Sequence, residues 1–150
     1  MSTIHIRQAA LADVDAISVL FDGYREFYGR DSDVSAAKAF LTERFDHGES
    51  ILFIAHEGSE AVGFAQLYPS FSSVSLGRIL ILNDLFVSDS ARRKGVGARL
   101  LAASIDFATA VGAIRLALST ALNNTGAQAL YEAQGWVRDD DFFYVYPVCK

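Results

Sequence analysis

The chain has a single cysteine and little proline, and each shortage narrows the classes of protein to which it can belong. Cys149 is the only cysteine among 150 residues, so an internal disulfide is impossible and a reducing compartment is favoured. Proline occurs only at Pro69 and Pro147, which argues against a proline-rich linker. No apolar run approaches the roughly 20 residues that cross a bilayer, and the first residues lack a signal-peptide layout. We therefore expect a cytoplasmic protein without a membrane segment, folded as one domain over residues 1–150.

The chain also has fewer basic residues than acidic ones. The 13 lysines and arginines are outnumbered by 18 aspartates and glutamates, which gives a net charge of −5. A domain that binds nucleic acid usually presents a basic face, whereas here basic residues cluster only at Arg92-Arg93-Lys94. This distribution argues against a nucleic-acid partner and favours a small phosphorylated ligand.

The spacing of apolar residues predicts a mixed α/β fold with the element order β-α-α-β-β-β-α-β-α-β. The predicted strands are Ile4–Arg7, Ile51–His56, Ala61–Tyr68, Arg78–Val87, Ile114–Leu118 and Phe142–Val148. The predicted helices are Leu11–Tyr28, Asp33 or Ser35 to Asp46, Gly95–Val111, and Asn123 or Asn124 to Gln134. Three consecutive strands imply an antiparallel meander, and the crossover after them implies a parallel pair. Where that pair diverges, the cleft between its strands is the expected ligand site.

A glycine-rich segment follows the fourth predicted strand. Arg92-Arg93-Lys94-Gly95-Val96-Gly97-Ala98 comes just after Leu85-Phe86-Val87 and opens a predicted helix. Backbone N–H groups in such a turn, at the positive end of a helix dipole, bind phosphate. The dinucleotide fingerprint is excluded because Leu100 stands where its third glycine belongs, and the ATPase-type loop is absent. A surface turn with solvated charges is the alternative for this motif taken alone.

Two motifs, in order and correctly spaced, give the chain a resemblance to a known family. Asn83-Asp84-Leu85-Phe86-Val87 is followed five residues later by Arg92–Gly97, and Asn124–Trp136 comes further on. Together they resemble the GNAT superfamily of N-acetyltransferases over nearly the whole chain. The first motif and Tyr24-Arg25-Glu26-Phe27-Tyr28 are most similar to the histone-and-polyamine acetyltransferase subgroup. The resemblance implies a mixed sheet with a splayed central parallel strand pair.

The resemblance also implies acetyl-CoA as the cofactor and assigns residues to it. The backbone of Leu85, Phe86 and Val87 would pair with the pantetheine arm, and the N–H groups of Arg92–Ala98 would bind the pyrophosphate. Tyr131 would be the general acid, because a phenol is protonated at pH 7 and can donate to a thiolate. The alternative for Tyr131 is a packed aromatic residue. Asn124 would cap its helix or bind the cofactor amide.

The general base and the acceptor site are predicted from fewer residues. Asn83 stands where many relatives have glutamate, and an amide cannot act as a base. Asp84 is the candidate base, or else a structural or substrate-binding carboxylate. Strand alternation places it on the face of Leu82 and Phe86 unless a bulge intervenes. The aromatic and acidic residues at the end of the first predicted helix and in the loop after it would bind an amine by stacking and ion pairing. The alternative for these residues is a hydrophobic helix face with a solvated rim. These acceptor-site candidates are Tyr24, Glu26, Phe27, Tyr28 and Asp31, together with Asn83.

The predicted reaction is acetyl transfer to a primary amine of a small molecule, polyamine-like or amino-acid-like. Two alternatives remain: a protein lysine or N-terminal acetyltransferase, and a non-catalytic acyl-CoA-binding module. No His, Cys and Asp spacing indicates a metal site. The run Phe142-Phe143-Tyr144-Val145-Tyr146 is apolar on both faces of a strand, which predicts that it is covered in a homodimer.

Overall fold

The computed structural model describes residues 3–149 and shows a mixed α/β fold, as the sequence predicts. The chain divides into two compact units between Ser119 and Thr120. Over the described residues, the first unit contains one sheet and three α-helices, and the second contains one α-helix. That the two units form a single domain stays a prediction. Among the described residues, no helix is both long and apolar enough to span a bilayer.

Five strands form the sheet of the first unit in the order of the chain. The strands are β1 Ile4–Gln8, β2 Ile51–Glu57, β3 Glu60–Ser72, β4 Gly77–Val87 and β5 Leu116–Ala117. The first four pair antiparallel, as the predicted meander requires, and a tight turn between Glu57 and Glu60 joins β2 to β3. β5 runs parallel to β4, but only Leu80–Leu116 and Ile81–Ala117 are paired. The predicted parallel pair therefore splays apart immediately after Ile81.

The helices are close to their predicted bounds. They are α1 Val14–Phe27, α2 Val34–Asp46, α3 Val96–Ala110 and, in the second unit, α4 Thr125–Ala133. The Asp33 carboxylate caps α2 by accepting from the Ala36 N–H at 3.0 Å. The predicted first helix begins too early, because Leu11–Asp13 is a 3₁₀ turn. The Asp13 carboxylate accepts from the Ala10 N–H at 2.8 Å, which holds that tighter turn.

Helices cover both faces of the sheet, as neighbouring residues of β3 show. Phe64 contacts Phe21 of α1, with ring centroids 6.1 Å apart. Gly63 faces the other side, where a β-carbon would lie 3.3 Å from Leu100 and Val96 of α3. Successive residues of a strand point to opposite faces. α1 and α2 therefore share one face with a large apolar cluster, and α3 covers the other.

Two strand predictions need correction. β5 contains only Leu116 and Ala117 of the predicted Ile114–Leu118, because its neighbour β4 is paired with it no further than Ile81. The predicted last strand, Phe142–Val148, is absent: these described residues form neither strand nor helix. The apolar side chains of this run are between 74% and 91% exposed. Apolar side chains favour a strand, but a strand also needs a neighbour for its backbone hydrogen bonds.

Candidate functional site

The glycine-rich segment forms a turn that leads directly into α3. Arg93 and Gly95 both have positive φ, 64° and 78°, so the backbone turns sharply twice before the helix begins at Val96. Glycine suits the second position because it has no β-carbon to clash there. The first N–H groups of any helix have no acceptor within it. The turn thus directs backbone donors, including those of Val96 and Gly97, toward one side, and the first turn of α3 has no acidic residue.

The three basic side chains of this loop have different surroundings. The Arg92 Nε donates to the Val87 carbonyl at 3.0 Å, and its guanidinium pairs with Asp89 at 2.6 Å. Lys94 pairs with Glu57 at 3.0 Å. Arg92 and Lys94 therefore tie the loop to β4 and β2. Arg93 is exposed and forms no ion pair among the described residues, so its charge is available to a ligand.

The end of β4 presents an open backbone edge. On one side, Leu85, Phe86 and Val87 pair with Ala65, Phe64 and Gly63 of β3. On the other side, β5 pairs with β4 only at Leu80 and Ile81. Within the described part of the first unit, the edge from Leu82 to Val87 has no strand partner. Such an edge can bind an extended group through backbone hydrogen bonds, as an added strand would.

A β-bulge at Asn83 reverses the direction of the side chains along β4. Asp84 lies opposite Gln66, whereas Leu82 lies opposite the next residue, Leu67, so Asn83 is an extra residue in β4. Gln66 and Leu67 are adjacent and point to opposite faces. Asp84 therefore does not share a face with Leu82, as simple alternation predicts, but lies with Phe86 on the face covered by α1.

The Asp84 carboxylate is buried, with 2% of the residue exposed. It accepts hydrogen bonds from Gln66 Nε2 and, at 2.8 Å, from Asn83 Nδ2, and the Tyr24 hydroxyl also contacts it. Gln66 in turn accepts from the Ser50 hydroxyl at 2.6 Å. Burial raises the pKa of Asp84, and the donors from Gln66, Asn83 and Tyr24 oppose that rise. The Asp84 carboxyl group is thus buried and held by a network of polar side chains.

Two tyrosines flank this carboxyl group. The Tyr24 hydroxyl donates to the Asn83 carbonyl at 3.2 Å, and its ring lies 6.3 Å from that of Phe86. Burial, followed by the nearby Asp84 charge, raises the pKa of Tyr24, and the same two causes raise that of Tyr68. Both phenols therefore stay protonated at neutral pH.

The remaining acceptor-site candidates lie at the surface. Tyr28 packs edge-on against Tyr24, with ring centroids 5.0 Å apart, whereas Glu26, Phe27 and Asp31 are exposed. The Asp22 carboxylate accepts from the Ser32 hydroxyl and the Asp33 N–H, both at 2.7 Å. These bonds hold the loop between α1 and α2 in place. The structure thus brings Tyr24 to the bulge, with Tyr28 packed beside it, while the other three form an exposed rim.

A cavity of about 450 Å³ opens between α2 and β3. It is lined by Phe40, Arg44, Gly48, Glu49, Tyr68 and Pro69. The Arg44 guanidinium lies over the Phe40 ring at 5.0 Å and pairs with Glu49 at 3.0 Å. Tyr68 lines this cavity and also interacts electrostatically with Asp84.

The second unit holds the last two predicted site residues. The Asn124 side chain accepts from the Ala127 N–H at 3.2 Å and caps α4. Tyr131, within α4, has its ring 6.0 Å from that of Trp136. The capping alternative for Asn124 is thus observed. The ring contact of Tyr131 is compatible with both of its predicted roles.

Sequence reasoning missed Ser50, Gln66 and Tyr68. Gln66 is the one residue with a signal, because it is a polar side chain inside the apolar run Ala61–Tyr68. A buried polar residue in such a run needs a partner, which predicts another polar group on the neighbouring strand. Ser50 and Tyr68 have no comparable signal, because their proximity to this network depends on strand register.

The comparisons with known proteins agree with this geometry. The sequence profile of the Acetyltransferase (GNAT) family matches residues 17–136. The chain belongs to this family. It is 50% identical over 141 residues to a protein of Bacillus subtilis (strain 168) described as an uncharacterized N-acetyltransferase, which covers 94% of this chain and 95% of that protein. The predicted GNAT resemblance and enzyme class are therefore confirmed.

Two crystal structures extend the comparison. A probable acetyltransferase superposes with a TM-score of 0.92 at 40% identity, over 97% of this chain and 99% of the other. The aminoglycoside acetyltransferase AAC(6')-Iy, in complex with the bisubstrate analogue CoA-S-monomethyl-acetylneamine, superposes with a TM-score of 0.81 at 25% identity. That alignment covers 99% of this chain and all of the other. GNAT acetyltransferases use acetyl-CoA, and this relative carries a CoA conjugate.

Proposed function

We propose that this N-acetyltransferase moves an acetyl group from acetyl-CoA to a primary amine of a small molecule that is polyamine-like or amino-acid-like. The observation that carries the proposal is the position of the Asn83 bulge. It places the buried Asp84 carboxylate on the same strand as the open backbone edge, and the Tyr24 hydroxyl of α1 donates to the Asn83 carbonyl at the bulge. An amine site beside an edge that can hold an extended thioester arm is what acetyl transfer requires.

The glycine-rich loop and the β4 edge fit CoA in shape and charge. A β-carbon built on Gly95 would meet no atom within 4 Å, so the space beside the loop is open. We propose that the N–H groups of Arg92–Ala98 bind the pyrophosphate and that Arg93 supplies the free cationic side chain. Leu85, Phe86 and Val87 would hold the pantetheine arm by backbone hydrogen bonds. The bound cofactor supplies an acetyl group activated as a thioester.

On the acceptor side, we propose that the amine binds at Asn83 and Tyr24. The Asn83 amide donates to Asp84 through Nδ2, which leaves its Oδ1 to accept from an incoming N–H. The Asp84 charge behind it attracts an ammonium group, and the exposed Glu26, Phe27 and Asp31 form an acidic, aromatic rim that suits a cation. The relative bound to a conjugate of CoA with an aminoglycoside derivative supports an acceptor that carries several amines.

The remaining proposed roles concern proton transfer. Asp84 is the proposed base, and because it is buried, the proton would reach it through the Tyr24 hydroxyl or an ordered water. Tyr131 is the proposed acid that protonates the leaving thiolate, a role that requires its hydroxyl to reach the sulfur. Asn124 is proposed to bind the cofactor amide in addition to capping α4.

The test is a panel of acceptors incubated with acetyl-CoA while the release of free thiol is followed. The panel holds diamines, polyamines, aminoglycosides, amino acids and lysine-containing peptides, with an acceptor-free reaction as the control. We expect turnover with small amines and little with peptides. Turnover confined to peptides would replace the proposal with a protein acetyltransferase. Acetyl-CoA binding without turnover on any acceptor would indicate a non-catalytic acyl-CoA-binding module.

A further inference from the structure

A chain of polar side chains leads from the beginning of β2 to the Asn83 bulge. The Ser50 hydroxyl donates to Gln66 Oε1 at 2.6 Å, Gln66 Nε2 donates to one oxygen of Asp84, and Asn83 Nδ2 donates to the other at 2.8 Å. Gln66 is fully buried, and only the last member, Asn83, is exposed. These hydrogen bonds thus connect Ser50, which is remote from the open β4 edge, to Asn83, which lies next to that edge.

The orientation of the Gln66 amide determines whether its oxygen or its nitrogen faces Asp84. A glutamine amide has an acceptor oxygen at one end and a donor nitrogen at the other. With Ser50 donating to the oxygen, the nitrogen faces Asp84 and stabilises the ionised carboxylate. If the amide were reversed, its oxygen would face Asp84, and only a protonated carboxyl could remain there. In the observed orientation the Ser50 hydroxyl satisfies the buried Gln66 oxygen, so Ser50 supports the arrangement that suits an ionised Asp84.

The other groups around Asp84 do not supply a compensating cation. Tyr24 faces it from α1 and Tyr68 from β3, and both are neutral at pH 7. Arg44 of α2 acts electrostatically on Tyr68 and is paired with Glu43 and Glu49. Among the described residues, no lysine, arginine or histidine forms an ion pair with Asp84. Its charge is therefore stabilised chiefly by side-chain amides and the Tyr24 hydroxyl.

We propose that Ser50 and Gln66 are positioning residues for the acceptor site: they hold Asp84 ionised, so that Asp84 orients the Asn83 amide with its oxygen toward the acceptor amine. The role of Asn83 rests on the proposed function. The effect of Ser50 on Asp84 rests only on the hydrogen bonds and can be measured without turnover.

The first measurement is a ¹³C NMR titration of the Asp84 carboxyl, assigned with Asp84→Asn. In Ser50→Ala, the buried Gln66 oxygen loses its donor and gains one by turning toward a protonated Asp84. We expect the Asp84 midpoint to rise by about one pH unit. Ser50→Thr keeps the hydroxyl and should restore the wild-type midpoint. Gln66→Met, which removes both amide groups, should raise the midpoint at least as far.

Ser104→Ala is the matched control. Ser104 is buried and, like Ser50, donates through its hydroxyl, but to the Leu100 carbonyl in α3 at 2.9 Å, so its loss should leave the Asp84 midpoint unchanged. An unchanged midpoint in both Ser50→Ala and Gln66→Met would overturn the inference, whatever the activity.

The second measurement separates this inference from the proposed function. With the best amine of the panel, Ser50→Ala should raise the KM for the amine several-fold while the KM for acetyl-CoA stays unchanged, and Ser50→Thr should restore it. A shifted Asp84 midpoint with unchanged amine kinetics would overturn the positioning role. Failure of the wild-type enzyme to acetylate any amine would instead overturn the proposed function, and the NMR result would still stand.

Discussion

Asp84 of β4 is paired with Gln66 of the neighbouring strand β3 because Asn83, the residue before Asp84, is an extra residue in β4. Without this bulge, Asp84 would point toward α3 and would be separated from Tyr24. The bulge also exposes Asn83 at the point where the paired region of β5 has ended. One inserted residue therefore positions both the buried carboxylate and the exposed amide of the candidate acceptor site.

The first prediction concerns the activity of Asp84→Asn. We expect kcat/KM for the amine to fall at neutral pH by about 10²-fold or more if Asp84 is the base. The defect should shrink as pH rises, because the free amine becomes abundant and needs no base. The measurement is a pH–rate profile from pH 6 to 10, with Asp106→Asn on the exposed side of α3 as control. A defect that stays constant over this range would assign Asp84 to binding or structure.

The second prediction concerns stability and follows from the raised pKa of Asp84. A carboxyl group whose pKa is raised by folding binds its proton more tightly in the folded state than in the unfolded state. This group therefore favours the folded state at low pH, and that contribution is lost as pH rises through its folded pKa. Urea unfolding between pH 4 and 8 should show wild type losing stability relative to Asp84→Asn as pH rises. The opposite trend would mean that folding lowers the pKa of Asp84.

Much of the fold could be predicted because its signals are local. The apolar runs of β2 and β3 and the turn Glu57–Glu60 give a hairpin, and Gly95 correctly indicates the start of α3. The Asn83 bulge has no such signal, because it depends on how β4 aligns with β3. For the same reason, the pairing of Gln66 with Asp84 could not be derived from either residue alone.

The predicted C-terminal strand is the opposite case, because its local signal is strong but the structure has no strand there. Phe142–Val148 has strong strand propensity, yet it forms no strand, because propensity does not supply a hydrogen-bonding neighbour. Its aromatic side chains are nearly fully exposed in the single chain. Exposed apolar runs of this kind are typical of surfaces that contact another molecule. That a second copy of the chain covers it stays a prediction.

The third prediction tests the cofactor loop with Gly97→Glu. Acetyl-CoA should raise the Tm of the wild-type protein, because a ligand that binds only the folded state stabilises it. NAD and ATP should have much smaller effects. In Gly97→Glu, the acetyl-CoA shift should disappear, because a side chain and a negative charge enter the donor-lined turn. Ala102→Glu adds the same charge at an exposed position of α3 and should keep the shift. Equal shifts from all three ligands would indicate generic anion binding.

The fourth prediction concerns the close approach of β3 to β4 at Gly63. A β-carbon there would lie 3.0 Å from the Phe86 carbonyl oxygen and 3.3 Å from Leu100 and Val96. Because the first of these atoms is backbone, Gly63→Ala should destabilise the protein by about 1–3 kcal/mol. Gly126→Ala, where a β-carbon meets no atom within 4 Å, should be neutral or slightly stabilising. Equal free energies of unfolding for the two variants would contradict the packing described at Gly63.

The last prediction tests the proposed acid with Tyr131→Phe, which keeps the ring and its contact with Trp136 but removes the proton. Stability and acetyl-CoA affinity should change little, while the rate of acetyl transfer should fall by about 10²–10⁴-fold. Slow product release can hide a loss in the chemical step, so the measurement is the single-turnover rate. Tyr144→Phe, which removes an exposed hydroxyl from the same unit, is the matched control. If Tyr131→Phe keeps the full single-turnover rate, Tyr131 is a packing residue, and another donor must protonate the thiolate.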